Sequence, residues 1–435
     1  MPRPSQTLSI DTCLEPEAMR ALLQIALPEL PDGPFGIAQL RISKVRRSSS
    51  RRRHPVPLTL CYELDVTDTA TGCHFPRHFY GKVYRDGASA DAAKGTPALH
   101  LPELDMLLWP WPYDPGLPQL PQLLDPLKFS DCLPECCTAG GQAVTLVETL
   151  RYEPERRATL RYTLSGEAAL APRVVYGKTF ADDHASLLHE RFVYFWRLAQ
   201  RDASAPCVAE PLGFDAATRT LWQAAASGQT LMSLADTAKA TCAFRAVGRA
   251  LAHLQQAPLN TSSRRPLSHW LAELQRRQVK LVRAVPELGS RVAAITEGLA
   301  LAARDLPDAP PTLIHGDFHP DQVWINAGRV VLFDFDEFAL GNPMEDLAEF
   351  IVKLEQAELP ASRCAAAVAA LIAGYCSAAP RHFEPLGLLW HCAMQSLLQA
   401  SRAFIYQRPG WRAELALRLA RTEQRLALVL TEPTT

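Results

Sequence analysis

Two stretches of this chain repeat each other. LCYEL at 60–64 resembles LRYTL at 160–164, and FYGKVYRDGASA at 79–90 resembles VYGKTFADDHAS at 175–186. The offsets, 100 and 96 residues, are nearly equal. Each copy reads as strands that end on Tyr-Gly-Lys and lead into a helix. Each is preceded by an arginine-rich loop, RRSSSRRRH at 46–54 and RYEPERR at 151–157. A chain that encodes one strand–loop–strand–Lys-strand–helix unit twice is expected to build two related β-rich modules.

Beyond about Leu231 the pattern turns helical. Phe244, Val247, Leu251 and Leu254 recur on one helical face, and further helices are expected up to Leu430. One β insertion interrupts them at 313–336. The whole reads as an α+β, two-lobed chain: 1–128 an N-terminal β-rich domain, 129–225 a second β-rich lobe, 226–435 a helical lobe. Proline is dense between Leu101 and Phe129, which predicts extended connecting structure there.

Lys+Arg is 45 and Asp+Glu 46, a net charge of −1, so bulk binding to nucleic acid is not expected. The 46–54 run reads as a solvated loop. The N-terminus lacks a signal-peptide pattern. No run approaches the roughly 18 apolar residues of a membrane helix, the richest being Cys364–Cys376. A cytoplasmic protein with no membrane partner is the expectation; oligomeric state is not legible. Eleven cysteines are scattered, and Cys132, Cys136 and Cys137 have no second ligand pair at zinc-site spacing, so they read as free thiols.

The chemistry concentrates in LIHGDFHPDQVWINAGRVVLFDFDEF, Leu313 to Phe338. Val323–Ile325 and Val330–Phe333 are β-prone, with Asn326-Ala327-Gly328-Arg329 as the turn between them. A hairpin brings its outer ends together, so Gln322 and Asp334 meet, with Asp317 on the loop leading in. Three oxygen-bearing side chains converge. Two suit a hard divalent cation, and the third is free to act as a base. A magnesium ion held by oxygens beside a positioned carboxylate is what phosphoryl transfer requires.

HGDFHPDQ at 315–322, followed by LFDFDEFALGNPMEDLA at 332–348, closely resembles the aminoglycoside phosphotransferase and choline kinase group, which has a protein-kinase-like fold. Three linked motifs occur in order over 34 residues. The resemblance implies ATP- and Mg²⁺-dependent phosphorylation of a hydroxyl on a small molecule. It implies Asp317 as catalytic base, Asp334 as principal Mg²⁺ ligand and Asp336 as a second carboxylate near the metal. His315 and Asp346 would brace the loop, and His319 would brace it or touch phosphate or substrate. Gln322 stands where the group usually has Asn, as in maltokinase-like members. It offers the same carbonyl oxygen one methylene further out as a metal ligand.

A lobe of this kind needs a strand lysine oriented by a helix glutamate. Lys178, with Glu190 on the next helix, is contiguous with the rest of the machinery, and Gln223 to Ala225 resembles the hinge where adenine docks. Lys82 leads instead into the proline-dense stretch, so the first copy reads as a partial duplicate of the small lobe; the alternative makes Lys82 the nucleotide lysine and the second copy an insertion. Neither lysine follows a G-x-G-x-x-G loop. YEPERR at 152–157 occupies that place, its arginines either reaching phosphates or forming a solvated turn. Trp270, Glu273, Trp390, His391 and Gln395 are candidates for an acceptor pocket in the helical lobe. A competing reading is a pseudokinase-like nucleotide-binding scaffold without turnover.

Overall fold

The computed structural model describes residues 11–27, 30, 33–47, 58–126, 134, 143–165, 173–259, 261–406 and 410–431. Cys132, Cys136 and Cys137 and most of the 46–54 loop lie outside the described residues. The chain forms two compact units. One comprises 1–124, 279–286 and 400–416; the other comprises 125–278, 287–399 and 417–435. The stretches 129–225 and 226–435, read separately in sequence, fall together in the second unit apart from those two short segments.

The first unit opens with helix α1 (Pro16–Ala26), which starts on a proline where the missing N–H costs nothing. Its Met19 and Leu23 are buried in one core with Leu58, Leu60, Tyr62 and Leu64. The sheet is built from β1 (Phe35–Arg47), β2 (Leu58–Asp68), β3 (His74–Val83), β4 (Leu99–Leu101) and β5 (Met106–Pro110). Between β3 and β4 lies a single-turn helix, α2 (Ser89–Ala92), and α3 (Leu120–Leu123) follows β5. The strand order is β1-β2-β3-β5-β4. The proline-dense stretch is therefore not only connecting structure: β5 is paired on both sides, with β3 and with β4. Pro102 starts a 3₁₀ turn and Pro110 ends the strand, so Met106–Trp109 keep their N–H groups for the ladder.

The second unit's sheet uses β6 (Ala143–Glu153), β7 (Arg157–Ser165) and β8 (Arg173–Phe180). After them come α4 (His184–Arg201), β9 (Cys207–Val208), β10 (Pro211–Asp215) and β11 (Thr220–Ala224). Its order, β6-β7-β8-β11-β10, is that of the first sheet with each strand replaced by its counterpart. The register repeats too: Leu60 faces Gly81, and Leu160 faces Gly177. The Tyr and Gly of the repeat form one packing unit. A Cβ at Gly177 would lie 2.6 Å from Trp222 Cζ3 and 3.1 Å from Tyr162 Cε2; at Gly81 it would lie 2.9 Å from Leu108 Cδ2 and 3.5 Å from Tyr62 Cε2. In each copy a buried tyrosine ring closes over a strand that has no side chain at that point. The copies differ in their helices: 4 residues in α2 against 18 in α4.

The chain continues through β12 (Gln229–Thr230), α5 (Leu231–Leu234), α6 (Ala240–Gln255), β13 (Arg264–Arg265), α7 (Leu267–Ala284) and α8 (Gly289–Ala302). Then come β14 (Thr312–Ile314), β15 (Val323–Asn326), β16 (Arg329–Leu332) and β17 (Ala339–Gly341). Helices α9 (Met344–Leu354), α10 (Ala361–Ala378), α11 (Pro385–Tyr406) and α12 (Trp411–Thr431) complete it. The predicted face of α6, Phe244, Val247, Leu251 and Leu254, is fully buried. Helix α10 runs longer than the Cys364–Cys376 stretch. Among the described residues it is the one helix long and apolar enough to cross a membrane by length and composition. It packs closely on α6, where a Cβ at Gly248 or Gly374 would collide with the other helix's backbone. The result is an α+β arrangement: in the second unit an antiparallel five-stranded sheet with one long helix, then a helical part that carries the β15–β16 hairpin.

Candidate active site

The β15–β16 hairpin turns through Ala327 and Gly328, with φ of 47° and 81°, as a two-residue turn with both central residues left-handed demands. Val323 pairs with Leu332, so the open end carries Gln322 on one side and Phe333 and Asp334 on the other. The Phe333 N–H donates to the Gln322 carbonyl at 3.1 Å, and Gln322 Nε2 donates to Asp334 Oδ2 at 3.2 Å. Asp334 has φ 61°, a left-handed backbone that costs a non-glycine residue ~1 kcal/mol or more. That bend ends the strand and brings Asp336 to the same cation as Asp334. Lys178 Nζ, on β8, donates to Asp334 Oδ1 at 2.5 Å and to Asp336 Oδ1 at 2.6 Å.

Asp336 is buried, and Arg157 Nη1 contacts its Oδ2. Arg151 Nη1 lies 3.5 Å from Asp334 Oδ2. Glu153 binds both arginines, at 2.8 Å to Arg151 and 3.0 Å to Arg157. Burial by itself would raise the Asp334 carboxyl, but Lys178, Arg157 and Arg151 hold it well below the usual range, so it is an anion at every working pH. Burial pulls Lys178 down to about 8 against the attraction of Asp334, which leaves it charged at neutral pH.

The loop before the hairpin is held by α9. The N–H groups of His315 and Gly316 donate to Asp346 Oδ2 and Oδ1 at 2.8 and 2.9 Å. His315 Nε2 donates to the Phe333 carbonyl at 2.8 Å and so ties the loop to the hairpin. Gly316 has φ 81°, and a Cβ there would collide with the Glu337 carbonyl oxygen. Arg265 Nη1 donates to the Gly316 carbonyl at 2.8 Å. These contacts set the backbone on which Asp317 sits.

Asp317 accepts a hydrogen bond from Lys353 Nζ at 2.9 Å, and Lys353 also pairs with Glu349 Oε1 at 3.0 Å. His319 Nε2 lies 3.8 Å from Asp317 Oδ2. A cavity of about 210 Å³ opens here, lined by Met232, Pro320, Asp321, Lys353, Gln356 and Ala357. Lys353 was not singled out in the sequence, although a signal existed. Asp346, Glu349 and Lys353 are spaced by three and four residues, which stacks them on one face of α9.

The structure separates two residues that the sequence pairs. Glu190 is exposed and does not meet Lys178, whose partners are Asp334 and Asp336. The reason is helical azimuth: α4 buries Ala185, Leu188, Phe192, Phe195 and Ala199, and residue 190 falls on the far side. Basic groups from α4 reach the Asp334–Asp336 segment instead. Arg191 Nη1 donates to the Phe335 carbonyl at 3.1 Å, and His184 Nε2 to that of Asp336 at 2.9 Å. Gln223 lies on β11 opposite Tyr176, and its buried Nε2 meets no partner among the described residues. Ala224 N–H donates to the Glu210 carbonyl at 2.9 Å, and Ala225 leads out of the strand.

Of the acceptor-pocket candidates, Trp390 is a core residue, fully buried with Nε1 donating to the Leu299 carbonyl at 2.9 Å. His391 is buried beside it, and burial lowers it to about 3. Gln395 is also buried and Trp270 nearly so, while Glu273 is occupied by Arg276 and Arg277.

Residues 171–386 match the family model described as Phosphotransferase enzyme family (APH). Over those residues the chain is similar to the phosphotransferase enzyme family. The matched segment begins at β8 and takes in Lys178, Asp317, Gln322, Asp334 and Asp336. No curated protein matches the chain by sequence. Among solved structures, one similar chain is a thermostable mutant of aminoglycoside phosphotransferase APH(4)-Ia in complex with ADP and hygromycin B. The identity is 16%, with 67% of this chain and 96% of that one covered and a TM-score of 0.47. Another is the amicoumacin kinase hAmiN in complex with AMP-PNP, Ca²⁺ and Ami, at 15% identity, 66% and 89% coverage and a TM-score of 0.46. A third is a choline/ethanolamine kinase family protein from Mesorhizobium loti, at 16% identity, 72% and 97% coverage and a TM-score of 0.45. The phosphotransferase segment thus carries both clusters, the Lys178–Asp334–Asp336–Gln322 group and the Asp317–Lys353–Glu349 group.

Proposed function

We propose that this phosphotransferase moves the terminal phosphoryl group of ATP to a hydroxyl of a small molecule, with Asp317 as general base. The observation that carries the reading is the hairpin end on which Gln322, Asp334, Asp336 and Lys178 converge. Its donor set is an amide oxygen and two carboxylates, all hard oxygens, which fits Mg²⁺. Two or three protein oxygens are enough for Mg²⁺, which keeps waters and phosphate oxygens as its other ligands. Gln322, Asp334 and Asp336 would hold the ion, which offsets charge on phosphate oxygens when bound. The Gln322 amide turns over to present its oxygen.

Lys178 grips phosphate oxygens from the sheet side. Asp317, partly exposed beside a cavity, accepts the proton of the attacking hydroxyl. Lys353, 2.9 Å away, keeps that carboxylate aimed. The cavity lined by Asp321, Lys353 and Gln356 offers polar groups suited to a hydroxylated acceptor such as a sugar or an amino alcohol. The test is ATP consumption across a panel of hydroxylated metabolites, with Asp317→Asn as the blank. That variant loses ~10²–10⁴-fold in turnover while ATP affinity holds. Turnover near wild type in Asp317→Asn refutes the base assignment. One observation favours a second reading, nucleotide binding without turnover: Glu190 faces away from Lys178. A magnesium-dependent ATP shift in a thermal melt, with no product across the panel, selects it.

A further inference from the structure

We propose that the tip of the β6–β7 hairpin is the polyphosphate clamp of the nucleotide site. Arg157 is the contact residue and Arg151 stands beside it. The inference rests on the nucleotide reading above.

The ladder closes with Glu153 opposite Arg157, across a turn in which Glu155 has φ 56°. In an antiparallel sheet, paired residues share a face and so do residues two apart. Thr159 is opposite Lys178, Arg151 is opposite Thr159, and Arg157 is two residues from Thr159. Lys178, Arg151, Glu153 and Arg157 therefore stand on one face of the sheet, the face that meets Asp334 and Asp336.

Arg157 is not a solvated turn residue, since its side chain is 9% exposed. Glu153 fixes one arm of the guanidinium at 3.0 Å, and the other arm contacts Asp336 and lies 3.8 Å from Asp334 Oδ1. Its Nε is buried and meets no acceptor among the described residues. A buried donor left without an acceptor costs ~1–3 kcal/mol, which a ligand oxygen would recover. A planar fork with a spare donor suits phosphate better than a lysine does.

Charge points the same way. Lys178, Arg157 and Arg151 face Asp334, Asp336 and Glu153, three positive groups against three negative. A divalent ion on the carboxylates leaves an excess of positive charge that a phosphate chain offsets. The sequence repeat adds a contrast. The residue 100 before Arg157 is Pro57, and Lys82, the counterpart of Lys178, stands near the rings of Tyr80 and Trp109, 5.9 and 5.5 Å from their centroids. The guanidinium belongs to the copy that carries the rest of the site.

The experiment is calorimetric titration of the full chain and of Arg157→Gln and Arg157→Lys with adenosine, MgADP and MgATP. Arg157→Gln is expected to weaken MgATP ~10–100-fold and leave adenosine within twofold. Arg157→Lys recovers part of the loss, which also shows that the position tolerates substitution. Equal MgATP affinity in wild type and Arg157→Gln overturns the clamp and leaves the kinase reading standing. An equal loss for adenosine and MgATP assigns Arg157 a structural role and overturns it as well. A wild-type chain that binds none of the three ligands overturns both readings.

Discussion

Asp346 is the residue on which the loop geometry depends, and its replacement by Asn can be followed quantitatively. The carboxylate is 1% exposed and accepts three donors: His315 N–H at 2.8 Å, Gly316 N–H at 2.9 Å and Gln255 Nε2 at 3.3 Å. An amide keeps one oxygen and puts an NH₂ group where the other was. The better rotamer turns the oxygen to His315 and Gln255 and sets the NH₂ against the Gly316 N–H. One charge-assisted hydrogen bond is lost, ~1.5–3 kcal/mol, and a buried N–H is left without an acceptor, ~1–3 kcal/mol. The bonds that remain also lose their charge. A net cost of ~3 kcal/mol corresponds to about a hundredfold change in a local opening equilibrium. Hydrogen exchange is the direct assay. The amides of His315 and Gly316 should exchange ~10²-fold faster in Asp346→Asn than in wild type, while amides in β2 and β7 stay protected. Turnover should fall ~10–100-fold, because Asp317, the proposed base, is the next residue and small misplacements of a base are costly. Exchange at 315 and 316 within about threefold of wild type, with unchanged turnover, would refute the argument that α9 holds the catalytic loop.

Two further changes test neighbouring groups. Glu345 is almost wholly buried, and burial raises its carboxyl from 4.5 to about 8. A raised folded-state value means stability that is complete below about 4.5 and lost as pH climbs toward 8. The wild type should therefore lose on the order of 3 kcal/mol relative to Glu345→Gln between pH 5 and pH 8. Denaturant midpoints for the two proteins at both pH values check this, and parallel pH dependences refute it. Lys353→Met removes the cation at 2.9 Å from Asp317 and should lower kcat ~10–100-fold with ATP affinity held, Lys353→Arg recovering part; an unaltered kcat contradicts the pairing.

The hairpin end was legible because its signal is local. Gln322 and Asp334 are twelve residues apart with a two-residue turn between them, and turn chemistry alone brings them together. The helices were legible for the same reason, as the buried face of α6 shows. Strand β5 was obscured, because prolines at 102, 110 and 112 outweigh a five-residue apolar run until its pairing partners are known. Glu190 looked right by spacing from Lys178, yet spacing does not specify the azimuth at which α4 settles on its core. Arg157 and Asp336 are separated by 179 residues, and no local pattern announces that one caps the other.

The order of residues alone determined the repeated strand unit, the hairpin and the set of oxygen donors at its end, since each follows from alternation, turn type or spacing within a few dozen residues. Which cation meets which carboxylate was decided by the tertiary fold. Lys178, Arg157 and Lys353 find Asp334, Asp336 and Asp317 across separations of 36 to 179 residues. The close packing of sheet and helices sets those partners, and side-chain identity does not specify it.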